Sequence, residues 1–192
     1  MAANDYHFIT TWQIAATPVE ISSVLGDAAG LVRWWPSVYL RVRVLDDGDE
    51  RGIGKVVELW TKGCLPYTLR WRFTVTESDP PHGYRLEASG DFVGRGIWTL
   101  RPAAGPDAPG GPSTLVTYDW LVIAEKGALK NLSVIMKPIF SANHRWAMAR
   151  GEESLRLELA RRHAAGDPTV LAAIPRAPGP TFPHNVSAGN RR

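Results

Sequence analysis

Residues 67–75, YTLRWRFTV, alternate without a break. Tyr67, Leu69, Trp71, Phe73 and Val75 point one way, and Thr68, Arg70, Arg72 and Thr74 point the other. Strict period-2 alternation puts one face on a core and the other in water, which antiparallel sheets allow. The same habit, interrupted by turn chemistry, runs through residues 1–126. HFITTWQI gives a first strand with Phe8, Thr10, Trp12 and Ile14 on one side. Six further strands are expected near 38–46, 54–61, 67–78, 83–91, 93–101 and 113–125. The segments DDGDERGIG, TKGCLP, SDPPHG, GDFVG and PAAGPDAPGGPS separate them, each rich in residues that turns favour.

Helical signals interrupt this pattern twice. In TPVEISSVLGD, Thr17 is the expected N-cap, Pro18 the first helical residue and Glu20 the capping-box partner. AAGLVRWWPS continues as a second short helix that Pro36 stops. Residues 129–165 form one long helical pattern, with Pro138 bending it or lying in its first turns. The order is therefore strand, two short helices, six strands, long helix. Strands joined by short turns make a meander, and a sheet of seven such strands curls, so the helix can lie across its concave side. The class is α+β.

The chain has 192 residues, 44% hydrophobic and 21% charged, which suits one domain at 1–165 with a tail. A core of that size buries roughly 70% of its unfolded surface and needs no staples. One cysteine, Cys64, excludes an intrachain disulfide and a thiolate zinc cluster, and fits a reducing compartment. The opening MAANDYHFITTW has neither the basic nor the apolar region of a secretory signal, and no apolar run reaches membrane-spanning length. A cytoplasmic, soluble protein is expected. The formal charge is +3, but Arg176, Arg191 and Arg192 against Asp167 leave the last segment with most of it. No concentrated basic face remains upstream, so nucleic acid is not an expected partner. Residues 166–192, rich in Pro, Gly and Ala and without apolar period, are expected to be a disordered tail.

The long helix poses a specific question. At roughly 100° per residue, Ile135, Met136, Ile139, Phe140, Trp146, Ala147 and Leu157 share an arc of roughly 140°. Asn143, Arg150 and Ser154 project into the middle of that arc. An amide, a guanidinium and a hydroxyl on a buried face need partners. Arg150 can pair with Asp91 or Glu58, and Asn143 can satisfy a strand end or the backbone freed by Pro138. On the outer side, Glu152–Arg156 and Glu158–Arg162 have the spacing of solvated ion pairs.

This element order, with RWWPSVYL closing the short-helix pair and NHRWAMARGEESLRLEL in the final helix, resembles the START-related (SRPBCC) superfamily. That group contains polyketide cyclases, steroidogenic lipid-transfer domains and the birch-pollen-allergen type. The resemblance spans about residues 5–163. It implies a helix-grip fold: a curved seven-stranded antiparallel sheet wrapped around a long C-terminal helix. It also implies an apolar cavity between sheet and helix, walled in part by the two short helices. The superfamily has no universal catalytic motif, so no catalytic residue carries over.

A cavity accounts for polar groups on the inner arc, because ligand sites are mostly apolar with a few placed polar groups. Trp71, Tyr118, Trp120, Asn143, Trp146 and Arg150 are the candidate ligand-binding residues, with Ser154 more remote. For catalysis the candidates are Arg150, Tyr118 and His144, although His144 sits at the edge of the arc, where a boundary histidine is common. Eight tryptophans otherwise suit a packed core, and of the adjacent Trp34 and Trp35 one at most enters a cavity, the other packing outside or at its rim. The five histidines have no metal-ligand spacing, GIGKVV and GDFVGRG are turns rather than phosphate cradles, and no G-x-S-x-G elbow exists. No metal and no cofactor is expected.

Three functions follow. The first is binding, transport or sequestration of a small hydrophobic ligand such as a lipid, polyketide or aromatic compound. The second is a cyclase or dehydratase on a polyketide-like substrate. The third is a protein-partner module of the Hsp90-activator type, which predicts a filled, dry interior.

Overall fold

The computed structural model describes residues 5–105, 108–124 and 133–182. Its element order is β1 (Asp5–Ile14), α1 (Pro18–Leu25), α2 (Leu31–Trp34), β2 (Tyr39–Asp46), β3 (Val56–Thr61), β4 (Leu69–Asp79), β5 (Gly83–Gly90), β6 (Phe92–Ala104), β7 (Ser113–Ala124), α3 (Ser133–His163) and α4 (Pro168–Ala173). The seven strands form one antiparallel sheet ordered β1-β7-β6-β5-β4-β3-β2. Strands β2 to β7 are a meander, and β1 closes onto β7 with Phe8 opposite Trp120 and Thr10 opposite Tyr118. The fold is the helix grip: α3 lies on the concave face, and α1 and α2 bridge β1 to β2 across one end of the sheet.

The alternation in the sequence explains which face is which. Leu69, Trp71 and Phe73 of β4 are buried while Arg70 and Arg72 between them are exposed. On β7 the same parity buries Val116, Tyr118, Trp120 and Val122. The α1 terminus is built as its residues require. Thr17 N–H donates to Glu20 Oε2 at 2.8 Å and Glu20 N–H returns a bond to Thr17 Oγ1. From α2, Arg33 reaches α3 through Glu158.

Three expectations change on α3 and after it. The expected helix start at 129 falls outside the described residues, as do the side chains of Ile135 and Met136. The face that turns inward carries Asn143, Ala147, Gly151, Ser154, Leu155, Glu158 and Leu159, rotated by roughly 80° from the arc the apolar residues outline. Ile139 is therefore 40% exposed. Glu158 is not a solvated partner of Arg162: it is buried and holds both Arg33 at 2.5 Å and Arg162 at 3.0 Å. The segment expected to be an unstructured tail is described as far as Phe182. Asp167 caps α4 by accepting from the backbone N–H groups of Thr169 and Val170, and Arg161 donates to the carbonyl of Pro175. Asp-Pro is an N-cap followed by an N1 proline, a helix start set in an otherwise Pro/Gly-rich stretch.

Candidate functional site

Two cavities lie against the sheet, the first of them beneath α3. The first, about 130 Å³, is bounded by the end of β3, the start of β4, the ends of β1 and β7, and the first half of α3. The second, about 330 Å³, lies toward α1, α2 and the β2–β3 turn. Trp35, Tyr39, Trp71, Trp98 and Tyr118 line both and form an aromatic partition. The partition rings support one another: Trp98 stacks on Tyr118 at 4.1 Å, and Trp35 meets Tyr39 edge-on at 5.2 Å. Tyr118 in turn stacks on Trp120, which tilts against Trp71 at 5.5 Å.

Glycines make the space these rings need. A Cβ on Gly96 would lie 2.6 Å from the Tyr118 hydroxyl and 2.9 Å from Trp120 Cε3. A Cβ on Gly151 would lie 2.3 Å from Trp35 Cζ2, so α3 approaches the partition only because that residue lacks a side chain. Trp71 is held by its indole N–H, which donates to Thr61 Oγ1 at 2.9 Å.

The sequence candidates divide. Trp71, Tyr118, Trp120 and Asn143 line the first cavity, and so does His144. Asn143 also serves the backbone, since its Oδ1 accepts from the Cys64 N–H at 2.8 Å and from Cys64 Sγ at 3.3 Å. It thus pins the turn after β3, the strand-end role, while its amide nitrogen remains as a donor. His144 is no boundary residue. It stacks on Phe8 at 4.2 Å, its Nε2 lies 3.3 Å from Thr10 Oγ1, and burial pushes its pKa down to about 4.

Arg150 and Trp146 line neither cavity. Arg150 has 41% of its side chain exposed and pairs with Glu153 at 2.6 Å, one turn away. The carboxylates offered to it are engaged elsewhere: Glu58 with Arg70 and Arg72, and Asp91 with the Arg70 backbone N–H. Trp146 sits half-buried on the same flank. Both misplacements follow from the rotation of α3. Ser154 is fully buried beyond the cavities, with Oγ unpartnered. The expectation that one at most of Trp34 and Trp35 enters a cavity is corrected: Trp34 is fully buried, and both line the second cavity.

Residues that sequence reasoning missed are the tyrosines. Tyr6, Tyr39 and Tyr67 join Tyr118 on the first cavity. Burial raises the pKa of all four, pushing Tyr67 up to about 12. The Tyr6 hydroxyl is buried without a partner, and no hydrogen bond holds the other three among the described residues. Trp35 Nε1 is likewise unpartnered. The parity that identified Trp71 and Trp120 also places Tyr67 and Tyr6 inward, and that signal was available. Each of these groups is an O–H or N–H donor. The site is an aromatic box with spare donors, suited to flat molecules bearing acceptor oxygens.

Among the described residues there is no cluster of three or more potential metal ligands, and no helix is long and apolar enough to cross a membrane. The family model described as "Polyketide cyclase / dehydrase and lipid transport" matches residues 7–156. No curated protein matches the chain by sequence. Among solved structures, the ZhuI aromatase/cyclase from Streptomyces sp. R1128 is similar with a TM-score of 0.60 at 19% identity, covering 85% of this chain and 98% of its own. Norcoclaurine synthase from Thalictrum flavum, in complex with dopamine and hydroxybenzaldehyde, gives 0.56 at 14% identity, covering 83% and 88%. A protein from Thermus thermophilus gives 0.57 at 16% identity, covering 78% and 97%. At these identities the likeness is one of fold.

Proposed function

The chain belongs to the polyketide cyclase/dehydrase and lipid-transport family, and from that premise we propose that it binds a flat, ring-bearing hydrophobic molecule with carbonyl or phenol oxygens. The observation that carries this is the set of unpartnered phenol hydroxyls of Tyr6, Tyr39, Tyr67 and Tyr118 on the wall of an aromatic cavity. A buried hydroxyl without a partner, as at Tyr6, costs about 1–3 kcal/mol, and three more phenols on the same wall add to the preference for an occupant that accepts hydrogen bonds. Apolar burial contributes about 25 cal/mol per Å² of ring surface, and the hydroxyls orient the molecule. Arg150 has no part in this. Tryptophan fluorescence titrated with naphthols and larger polyphenols, alongside native mass spectrometry of freshly purified protein, tests it. Saturable quenching is expected, weakened several-fold by Tyr118→Phe; a bare mass together with no saturable change would sink the proposal.

A cyclase reading rests on His144. An imidazole with a pKa near 4 is neutral at pH 7 and can accept a proton from a substrate carbon or hydroxyl within the cavity. Turnover of poly-β-keto substrates would then be level between pH 5 and 8 as far as His144 is concerned, and His144→Gln would lower kcat. Rates equal to the uncatalysed background in both proteins would exclude this reading for that substrate class. The partner-module reading expects a filled interior, and the two cavities count against it.

A further inference from the structure

Among the described residues that line the first cavity, Lys62 carries the one formal charge, and no carboxylate lines the cavity with it. Lys62 is only 5% exposed. Its backbone is held rigidly, donating from N–H to the Val38 carbonyl at 2.9 Å, and the next residue, Gly63, packs against Asn143 so closely that a Cβ would lie 2.0 Å from Oδ1. The lysine is therefore fixed at its root, with a four-carbon stem between that root and its ammonium. A buried ammonium normally has a carboxylate, because desolvating an unpaired charge is costly. Here its described partners are weaker and both come from one residue, Phe182. Lys62 Nζ donates to the Phe182 carbonyl at 3.3 Å and lies 5.0 Å from the centre of the Phe182 ring. Phe182 does not line the cavity and is 43% exposed. The segment leading to it is anchored by the α4 cap and by Arg161 on the Pro175 carbonyl.

Taking the ligand-binding reading above as its basis, we propose that Lys62 is the anion-recognition group of the first cavity. A ligand bearing an acidic oxygen, as a carboxylate, sulfonate or ionised enol, draws the ammonium inward and displaces the latch formed by Phe182. The chemistry is complementary: ring surface meets Trp71, Trp120 and Phe92, and the anion supplies the negative charge that Lys62 lacks among the described residues. A carbonyl and a ring face hold an ammonium less strongly than an anion does, since only the anion adds the attraction of a full opposite charge. Latch and ligand compete for one group, so weakening either strengthens the other.

The test uses two probes of one framework, anilinonaphthalene sulfonate and the uncharged phenylnaphthylamine, with full-length proteins. Wild type is expected to bind the sulfonate more tightly. Lys62→Met should weaken the sulfonate by at least about tenfold and leave the amine within about twofold. Phe182→Ala should tighten the sulfonate several-fold in the Lys62 background and change nothing in Lys62→Met. Lys62→Gln gives the same comparison should the methionine variant not fold, and Lys62→Arg should retain the sulfonate preference. The proposal is overturned if Lys62→Met or Lys62→Gln weakens both probes alike or neither, or if Phe182→Ala acts without Lys62. Those results leave ligand binding standing. Failure of both probes to bind any of these proteins overturns ligand binding itself and this inference with it.

Discussion

The two halves of α3 meet the rest of the molecule in opposite ways. From Gly151 onward the helix is packed and tied. Leu155 and Leu159 join the core with Ile21, Val24 and Trp34. Glu158 holds Arg33 of α2 and Arg162, Arg162 reaches Ser23 Oγ at 2.8 Å, and His163 Nε2 meets Glu20 Oε1 at 2.6 Å. Before Gly151 the inward side chains include Phe140, Asn143, His144 and Ala147, and they face a cavity whose tyrosine hydroxyls have no partner among the described residues. One end pairs the charges it buries, leaving Ser154 Oγ and Trp34 Nε1 as its unpartnered atoms, and the other turns phenol hydroxyls and Trp35 Nε1 toward open space. Polar capacity left open at one end, beside a helix secured at the other, is how a fold holds a site in place without filling it.

The closed end offers the largest effect. Removing both guanidiniums with Arg33→Ala and Arg162→Ala strands the Glu158 carboxylate, whose side chain is 3% exposed. Burial by itself would raise that carboxyl's pKa; the hydrogen bonds from Arg33 and Arg162 outweigh it and hold it below the usual range. The double variant should lose about 3–5 kcal/mol in urea unfolding, and adding Glu158→Gln should recover much of it. A loss below about 1 kcal/mol would show that the charge cluster does not secure this end.

Acid should then separate the halves by pH window. The folded pKa of His144 is about 4 against an ordinary 6.5, so the folded state disfavours its proton. Its contribution is whole above about 6.5 and is lost as pH falls toward 4, at about 1.4 kcal/mol per unit of the shift. Glu20 is held at about 2 by its hydrogen bonds from Thr17 and His163, so its contribution persists above about 4.5 and is lost only as pH falls toward 2. His144→Gln should flatten the upper window alone. A variant whose pH–stability curve overlays wild type between 4 and 6.5 would remove His144 from the account.

The fold was legible because its signals are local and repeated. Period-2 strands, the Thr17–Glu20 capping box and the Trp-Trp-Pro stop each act within a few residues, and the structure places them where the sequence does. The orientation of α3 was not. Its inward face is centred on Gly151, Glu158 and His144, which the apolar arc leaves at its edge or outside it. What turns them inward is tertiary: Trp35 fills the space at Gly151, and Arg33, more than a hundred residues earlier, neutralises Glu158. Asn143 and Tyr118 were found because strand parity and a polar residue on an apolar arc survive that rotation; Arg150 and Trp146 did not survive it.

The polar groups of the two ends should respond differently to deletion. At the closed end Thr114 Oγ1 donates to the Ala16 carbonyl at 2.6 Å, so Thr114→Val leaves a buried acceptor unsatisfied and should cost about 1–2 kcal/mol. Tyr118→Phe removes a hydroxyl that has no partner among the described residues. Stability should change by less than about 0.5 kcal/mol, or rise, while affinity for oxygen-bearing ligands falls. Equal losses in thermal unfolding for the two variants would mean that the cavity hydroxyls are already satisfied, and the contrast between the ends would fail.

The smallest effect belongs to Arg150, and it is the sharpest check on the rotation of α3. Were the apolar arc the inner face, Arg150 would sit at its centre and Arg150→Met would alter the cavity and strand a carboxylate. In the structure its guanidinium is at the surface, and among the described residues it pairs with Glu153 along the same helix. Exposed pairs at this spacing contribute about 0.3–0.5 kcal/mol, and methionine is an equally good helix former. Arg150→Met should therefore leave stability within about 0.5 kcal/mol and probe affinity unchanged, whereas Asn143→Leu, one face over, should disturb both. If Arg150→Met weakens binding several-fold with folding intact, α3 is turned in solution toward the arc its apolar residues outline, and the division between a closed and an open half must be redrawn around that orientation.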